Sequence, residues 1–424
     1  MLRPRLLREG GLSPAGGRHP ARGLVVAGLG SVQILAWGSS YYLPAALAAP
    51  IAQDTGWPLP WVVGGLSLGL VIAALVSPRV GRAIEARGGR PVLAASSVLL
   101  AAGLAGLAAA PTLPLHLLAW AVIGLGMGAG LYDAAIATLG RLYGRGAMGA
   151  IVNLTLLGGF ASTVCWPLSV AMNQELGWRG ACLVYAGLHL ALALPVHLRL
   201  VPRVRPGERL DDEPAAGGRA RRHDPPLPVP ARRLAFLLLA AIFTLAAVIV
   251  GIVSVHVIAL LQARGMTLAD AVATAALIGP AQVGARVVQA LLGRYVHPMW
   301  TLGVSVGLMA AGLAALAAGA PLAALPLVVY AAGVGIESIA RGHMPLALFG
   351  PEGYAALIGR LAMPALLAQA AAPPLAAVAF QLLGAAPLLA TLAALAGANV
   401  ALTAWLLLRV ARAHGTAAGN GAGL

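Results

Sequence analysis

About twelve apolar runs, each near the length needed to cross a bilayer, follow one another along this chain, and a charged stretch from Arg199 to Arg233 divides them six and six. A helix rises 1.5 Å per residue, so about 20 apolar residues cross a hydrocarbon core of about 30 Å. The runs fall at residues 24–49, 60–79, 91–110, 115–138, 148–171 and 179–199, then 233–260, 269–292, 299–319, 323–347, 356–381 and 386–408. Hydrophobic residues are 60% of the 424 and charged residues only 10%, with a mean hydropathy of +0.87. A soluble chain carries roughly a quarter charged residues, so the main solvent here is lipid. Backbone groups in hydrocarbon must pair internally, which leaves helices or a closed barrel. The Leu/Ala/Gly-rich runs show no two-residue alternation, and the expected fold class is an all-α membrane protein with 12 transmembrane helices.

The net charge of +15 raises the question of nucleic acid, and its placement answers it. All 28 basic residues are Arg. About 24 lie in the amino tail (Arg3, Arg5, Arg8, Arg18, Arg22), alternate short loops, the central stretch and the carboxyl tail; about two, Arg179 and Arg264, lie near the opposite face. This asymmetry follows the positive-inside rule and puts both termini in the cytoplasm. No folded basic domain with interleaved aromatics is present, so no nucleic-acid partner is expected. The basic tail resembles a signal n-region, but the run behind it is too long for a cleaved signal and reads as the first span. The expected organisation is a tail at 1–23, six helices over 24–199, a flexible linker at 200–232, six more over 233–408 and a tail at 409–424. Cys165 and Cys182 lie inside spans and have neither disulfide nor metal-ligand character.

Small residues inside the spans allow close helix approach, most densely at Gly124, Gly126, Gly128 and Gly130. Prolines at 167, 364, 373 and 374 are expected to kink or loosen their helices.

Between the second and third runs lies Gly81-Arg-Ala-Ile-Glu85-Ala-Arg87-Gly88-Gly-Arg90. Gly permits a tight turn where helices meet, and the acid can cap a helical segment or pair with a basic group, latching one conformation. Gly81, Glu85, Gly88 and Arg90 resemble the cytoplasmic loop of the major facilitator superfamily, Gly-x-x-x-Asp-Arg-x-Gly-x-Arg or Lys. This copy has Glu85 for the Asp and Ala86 for the following Arg, so the latch is weaker or wired through Arg82, Arg87 or Arg90; an ordinary positive-inside hairpin is the plainer reading. Gly293-Arg294 resembles the echo of this loop in the other half, and Gly177-Trp178-Arg179 is also familiar in the superfamily. The resemblance implies two pseudo-symmetric six-helix bundles around a central cavity, lined by the first, fourth, seventh and tenth helices. It implies a bacterial inner-membrane transporter working by alternating access.

Charges inside lipid cost about 2.5–3.5 kcal/mol each at a helix centre, so they are candidates for function. Four stand out: Asp133 in the fourth span, Arg286 in the eighth, and Glu337 with Arg341 in the tenth. Gln282, Arg286 and Gln289 fall at i, i+4 and i+7 and share a face that is expected to meet the cavity, where a guanidinium can hold a carboxylate bidentately. An Arg in the eighth span resembles the anion-binding position of the monocarboxylate and oxalate/formate branch. Gln282 stands where monocarboxylate carriers often place an Asp, which sets this chain apart from their coupling scheme. The competing reading has Arg286 snorkelling to the nearby interface. Glu337 and Arg341 suit an intrahelical ion pair, or Glu337 carries a proton. Asp133 is a proton-coupling candidate or the partner of Arg286 or Arg341. In the first span Gln33, Trp37 and Tyr41 recur every four residues, with Tyr42 adjacent. They are read as cavity lining rather than an interfacial anchor. Asn153, His256 and His343 read as helix–helix contacts.

No phosphate-cradling loop, metal-spaced cluster or Ser/His/Asp set is present, so no cofactor, metal, ATP drive or enzymatic activity is expected. The fifth span has Gly158-Gly159 and Trp166-Pro167 but not the Gly-Pro element of drug/proton antiporters. The sequence is therefore read as a monomeric secondary transporter of a small organic anion, moved with protons or by exchange. The alternatives are an exporter of an amphipathic compound or a non-transporting sensor that uses Asp211-Asp212-Glu213 in the linker.

Overall fold

The computed structural model describes residues 20–204, 210, 226–292 and 298–421, with the backbone alone over 414–421. All regular elements among them are helical. The first half holds α1 (Arg22–Gly38), α2 (Leu43–Thr55), α3 (Leu59–Arg87), α4 (Gly89–Ala109), α5 (Leu113–Gly130), α6 (Tyr132–Tyr143), α7 (Ala147–Gly158), α8 (Ala161–Leu188) and α9 (Leu194–Leu200). The second half holds α10 (Val229–Gln262), α11 (Leu268–Ala276), α12 (Ile278–Leu292), α13 (Pro298–Ala317), α14 (Ala324–Phe349), α15 (Tyr354–Leu383) and α16 (Ala385–Gly421). Gly293-Arg294, Asp211-Asp212-Glu213 and the tail arginines before Pro20 lie outside the described residues.

Ten stretches among the described residues are long and apolar enough to cross a bilayer, where the sequence predicts twelve. The difference lies in Leu113–Leu200, an 88-residue stretch running from α5 to α9. At 1.5 Å per residue it would measure about 130 Å, several times a hydrocarbon core. It is interrupted at Leu131, at Gly144 (φ 52°) and inside α8 at Gly177 (φ 69°). The first predicted run is also broken: α1 and α2 are separated by a turn at 39–42. There the buried Ser39 and Ser40 hydroxyls donate back to the Leu35 and Ala36 carbonyls. Pro364, Pro373 and Pro374 do not interrupt α15, which stays helical throughout.

Four apolar clusters are buried. Two draw their buried residues only from Leu227 onward, as far as Val410. The other two are built from α1–α9 and receive Leu346, Tyr354, Ala355 and Ile358 in one and Ala370 in the other. So α14 and α15 carry the join between halves. Backbones approach closely where α3 meets α15: a Cβ on Gly81 would lie 2.4 Å from the Ala355 carbonyl oxygen and 3.1 Å from the Gly359 Cα. Only paired glycines allow that approach.

The same join continues where α6 and α7 meet α14. There His343 Nε2 lies 2.9 Å from the Met148 carbonyl oxygen across the join, and within the second half Tyr354 donates from its hydroxyl to the Gly342 carbonyl (2.8 Å). Both contacts lie at the end of the molecule reached by the linker, whose Leu210 and Leu227 amides bond to the Leu142 and Leu348 carbonyls. At the opposite end Trp178 Nε1 donates to Asp54 (3.0 Å), which also pairs with Arg179.

Candidate functional site

The chain leaves α5 at Gly130, passes through extended Leu131 (φ −76°, ψ −170°) and restarts at Tyr132. This break sets Tyr132 and Asp133 in the first turn of α6, where unpaired N–H groups and the helix dipole favour an acid. On the other side of the break, the Gln33 amide donates 2.7 Å to the Gly130 carbonyl. The buried Gln33 is therefore a support for the break.

Asp133 is paired across helices. Its Oδ1 lies 3.3 Å from Arg341 Nε, with side chains 20% and 23% exposed. The intrahelical Glu337–Arg341 pair suggested by their spacing does not form, because the guanidinium is turned to Asp133. Glu337 is buried, in the electrostatic reach of Arg341, Asp133 and Arg286, and makes no hydrogen bond or close ion pair among the described residues.

Arg286 is 5% exposed and does not snorkel. Its Nε donates to Ser338 Oγ (3.1 Å) and the Gly335 carbonyl (3.3 Å) on α14, and its Nη1 to the Thr155 carbonyl (3.2 Å) on α7. It therefore bridges the two halves. Two glycines make the room. A Cβ on Gly159 would meet Nη1 at 2.1 Å, and one on Gly335 would meet the Gln282 carbonyl at 2.4 Å. The Nη2 edge has no hydrogen-bond partner among the described residues. A guanidinium fixed on two sides with one N–H edge to spare is suited to receiving an anion.

The other two members of the polar stripe part company with it. Gln289 donates to Thr301 Oγ1 on α13 (3.0 Å), so its amide is engaged away from Arg286. Gln282 packs its backbone on Gly335, and its half-buried side chain makes no hydrogen bond among the described residues.

Aromatic rings adjoin Arg286. Trp37 packs on Tyr132 (centroids 4.9 Å apart) and Tyr41 (5.3 Å), and Tyr42 continues the group to Trp166 (5.8 Å). Tyr132 joins rings to charge, since its hydroxyl donates 3.4 Å to the Thr155 carbonyl that Arg286 also uses. The Tyr41 hydroxyl accepts from Gln369 Nε2 on α15 (3.0 Å), a further bridge between halves. Tyr132, Thr155, Ser338 and Gln369 were not singled out in the sequence. The signal for Tyr132 and Ser338 was adjacency to Asp133 and Glu337; Thr155 acts through its backbone, which no sequence pattern marks.

In the loop, Gly88 (φ 79°) is the single residue between α3 and α4, a left-handed position that favours glycine. Glu85 accepts from the Ala355 amide at 3.1 Å. Ala355 is in the first turn of α15, so Glu85 caps a helix of the other half. It pairs with none of Arg82, Arg87 or Arg90 among the described residues, and Arg90 has a buried Nε without a partner. His256 Nε2 lies 3.0 Å from the Pro373 carbonyl, while Asn153 is exposed. No group of three His, Cys, Asp or Glu among the described residues could hold a metal.

Comparison with known proteins gives a consistent result. A family model described as Major Facilitator Superfamily matches residues 29–344. Monocarboxylate transporter 11 of Homo sapiens is 37% identical over 164 residues, 37% of this chain and 32% of that protein. The Mus musculus protein is 37% identical over 166 residues, covering 38% and 34%. The chain thus spans about a third of the length of the curated relatives it matches. Among solved structures, the human organic anion transporter MFSD10 (TETRAN) superposes with a TM-score of 0.70 at 18% identity, covering 91% of this chain and 100% of that one. FucP, a fucose:proton symporter of E. coli, superposes in its outward conformation with a TM-score of 0.66 at 15% identity, covering 91% and 98%. At these identities the likeness shows the fold. The helices that can cross a membrane, the join between halves and the match along most of the sequence lead to one conclusion: the chain belongs to the major facilitator superfamily of membrane transporters.

Proposed function

We propose that this chain is a secondary transporter that moves a small organic carboxylate across the bacterial inner membrane by alternating access, driven by protons or by exchange of anions. The observation that carries the reading is Arg286: buried, held by both halves, and with one N–H edge unused. The monocarboxylate transporters, matched over about a third of their length, support the same cargo class. Arg286 would hold the carboxylate, while Trp37, Tyr41 and Tyr132 shape the space for its body, with Gln282 at the margin. Gln289, bound to Thr301, would support the helix rather than touch the solute.

Asp133 is the proposed proton acceptor. Protonation would release Arg341, one turn from Glu337, and rearrange the charges around the bound anion. The 88-residue stretch would cross three times, giving twelve spans in two bundles, 24–199 and 233–408, with both termini cytoplasmic. A monomer is sufficient for this scheme. The packing of Gly81 on Gly359 and the cap from Glu85 would close the cytoplasmic side in this state.

The test is carboxylate counterflow in proteoliposomes. Arg286→Ala should abolish it while the protein stays folded. Asp133→Asn should keep counterflow and lose proton-driven uptake, because exchange needs no net proton movement. Carboxylate counterflow at the parental rate in Arg286→Ala would remove the proposal.

A further inference from the structure

We propose that a pocket between the first turns of α10 and the later turns of α16 binds an anionic phospholipid, with Arg409 and Arg412 holding its phosphate and an apolar floor receiving part of an acyl chain. The pocket measures ≈ 380 Å³ and lies between Leu227, Leu234 and Leu238 on one side and Leu406 and Val410 on the other. Its charged lining residues are Arg409 and Arg412, spaced i, i+3 and so on one face of α16. Both are exposed. Among the described residues no acidic residue lines the pocket or stands in the first turn of α10, where Arg232 adds positive charge, followed by Arg233. Arg409 makes no ion pair among the described residues.

The occupant follows from this mixture. A soluble anion would meet the guanidinium groups but gain nothing from the leucine floor. A wholly apolar ligand would leave the exposed Arg409 guanidinium unused. An anionic phospholipid satisfies both, and basic pockets between spanning helices at a membrane interface bind such headgroups. The place fits as well, at the linker-side ends of two long helices. Apolar residues flank it, with Val229, Leu237 and Leu408 exposed by 76%, 54% and 59%, as on a lipid-facing surface. An acyl chain can therefore lie along the same flank as its neighbours in the bilayer.

The test uses the purified full chain in neutral detergent, with lipid retention read by native mass spectrometry and stabilisation by thermal unfolding. Phosphatidylglycerol should be retained and raise the unfolding temperature, whereas phosphatidylcholine and glycerol phosphate should do neither. In Arg409→Ala/Arg412→Ala the apparent affinity for phosphatidylglycerol should fall at least about tenfold. Arg409→Lys/Arg412→Lys should keep most of it. Ala231→Trp, which fills the floor and leaves the charges, should also lose retention, so the proposal stays testable even where the double alanine variant misfolds. Equal retention of the two phospholipids, undiminished binding in the double alanine variant, or stabilisation by glycerol phosphate alone would overturn it. So would phosphatidylglycerol binding that appears only after neutralising Asp211, Asp212 and Glu213, since the linker would then be the native occupant. None of these readouts involves Arg286, so the outcome is independent of the cargo.

Discussion

Glu85, in the last turn of α3, accepts a hydrogen bond from the backbone amide of Ala355, in the first turn of α15 and 270 residues away. It is an N-terminal cap supplied by the opposite half of the chain. The first amides of a helix have no partner within it, and the dipole adds attraction for a carboxylate.

Removing this cap should loosen the linker-side join without unfolding either half. A helix cap contributes about 1 kcal/mol, a factor of about five in an equilibrium. Hydrogen exchange at the amides of the first turn of α15 should accelerate by that order in Glu85→Ala and much less in Glu85→Asp. Unchanged protection in Glu85→Ala would show that the remaining contacts across the join keep it shut without the cap.

Gly159 sets where Arg286 sits. A Cβ there would fall 2.1 Å from Nη1, so Gly159→Ala must displace the guanidinium from the Thr155 carbonyl. Carboxylate KM in proteoliposomes should rise by about tenfold or more, in line with the 1.5–3 kcal/mol typical of a hydrogen bond to a charged group. Ser338→Ala, which removes one of two acceptors for Nε, should have a smaller effect in the same direction.

Asp133 and Arg341 should be energetically coupled. Each side chain is about one-fifth exposed, so the pair is partly screened, yet removing one partner strands the other in low dielectric. Thermal unfolding in detergent should show Asp133→Asn and Arg341→Gln each destabilising. The double variant should recover part of the loss, with a coupling of about 1–2 kcal/mol. Strictly additive effects would mean that the 3.3 Å contact contributes nothing to stability.

Tyr41→Phe removes the hydroxyl that joins α15 through Gln369 while keeping the ring on Trp37. The loss of one neutral hydrogen bond, about 1 kcal/mol, should speed the exchange between conformations more than it alters binding. The check is a rise in counterflow turnover with KM nearly constant. A large KM change with constant turnover would mean that the Tyr41 hydroxyl, and not only its ring, touches the solute.

Much of this molecule was readable before its coordinates. The membrane environment followed from the absence of enough charge to cover 424 residues with water, and the apolar runs located most helices to within a few residues. The loop at Gly81 and the family resemblance it carried came from a short pattern at a fixed place. Asp133, Arg286, Glu337 and Arg341 were conspicuous because ionised groups in hydrocarbon are costly. Their pairing was not readable. Which face of α14 meets α6 depends on helix rotation, set by the close approach of Gly335 to Gln282 and of Gly342 to Ile136 and Ile151. Such contacts have no counterpart in periodicity. The backbone acceptor at Thr155 leaves no trace in residue type, and the breaks at Leu131 and Ser39 fall inside runs whose length reads as one continuous span.

The interruption at Leu131 has a consequence for how cargo and proton would communicate. Tyr132 reaches the aromatic wall and the Thr155 carbonyl, and Asp133, the very next residue, reaches Arg341. One peptide plane connects them, at a point where one helix ends and the next begins. A solute pressing on the phenol ring and a hydrogen ion settling on the acid would act on the same hinge, so no relay of distant side chains would be required for each to sense the other.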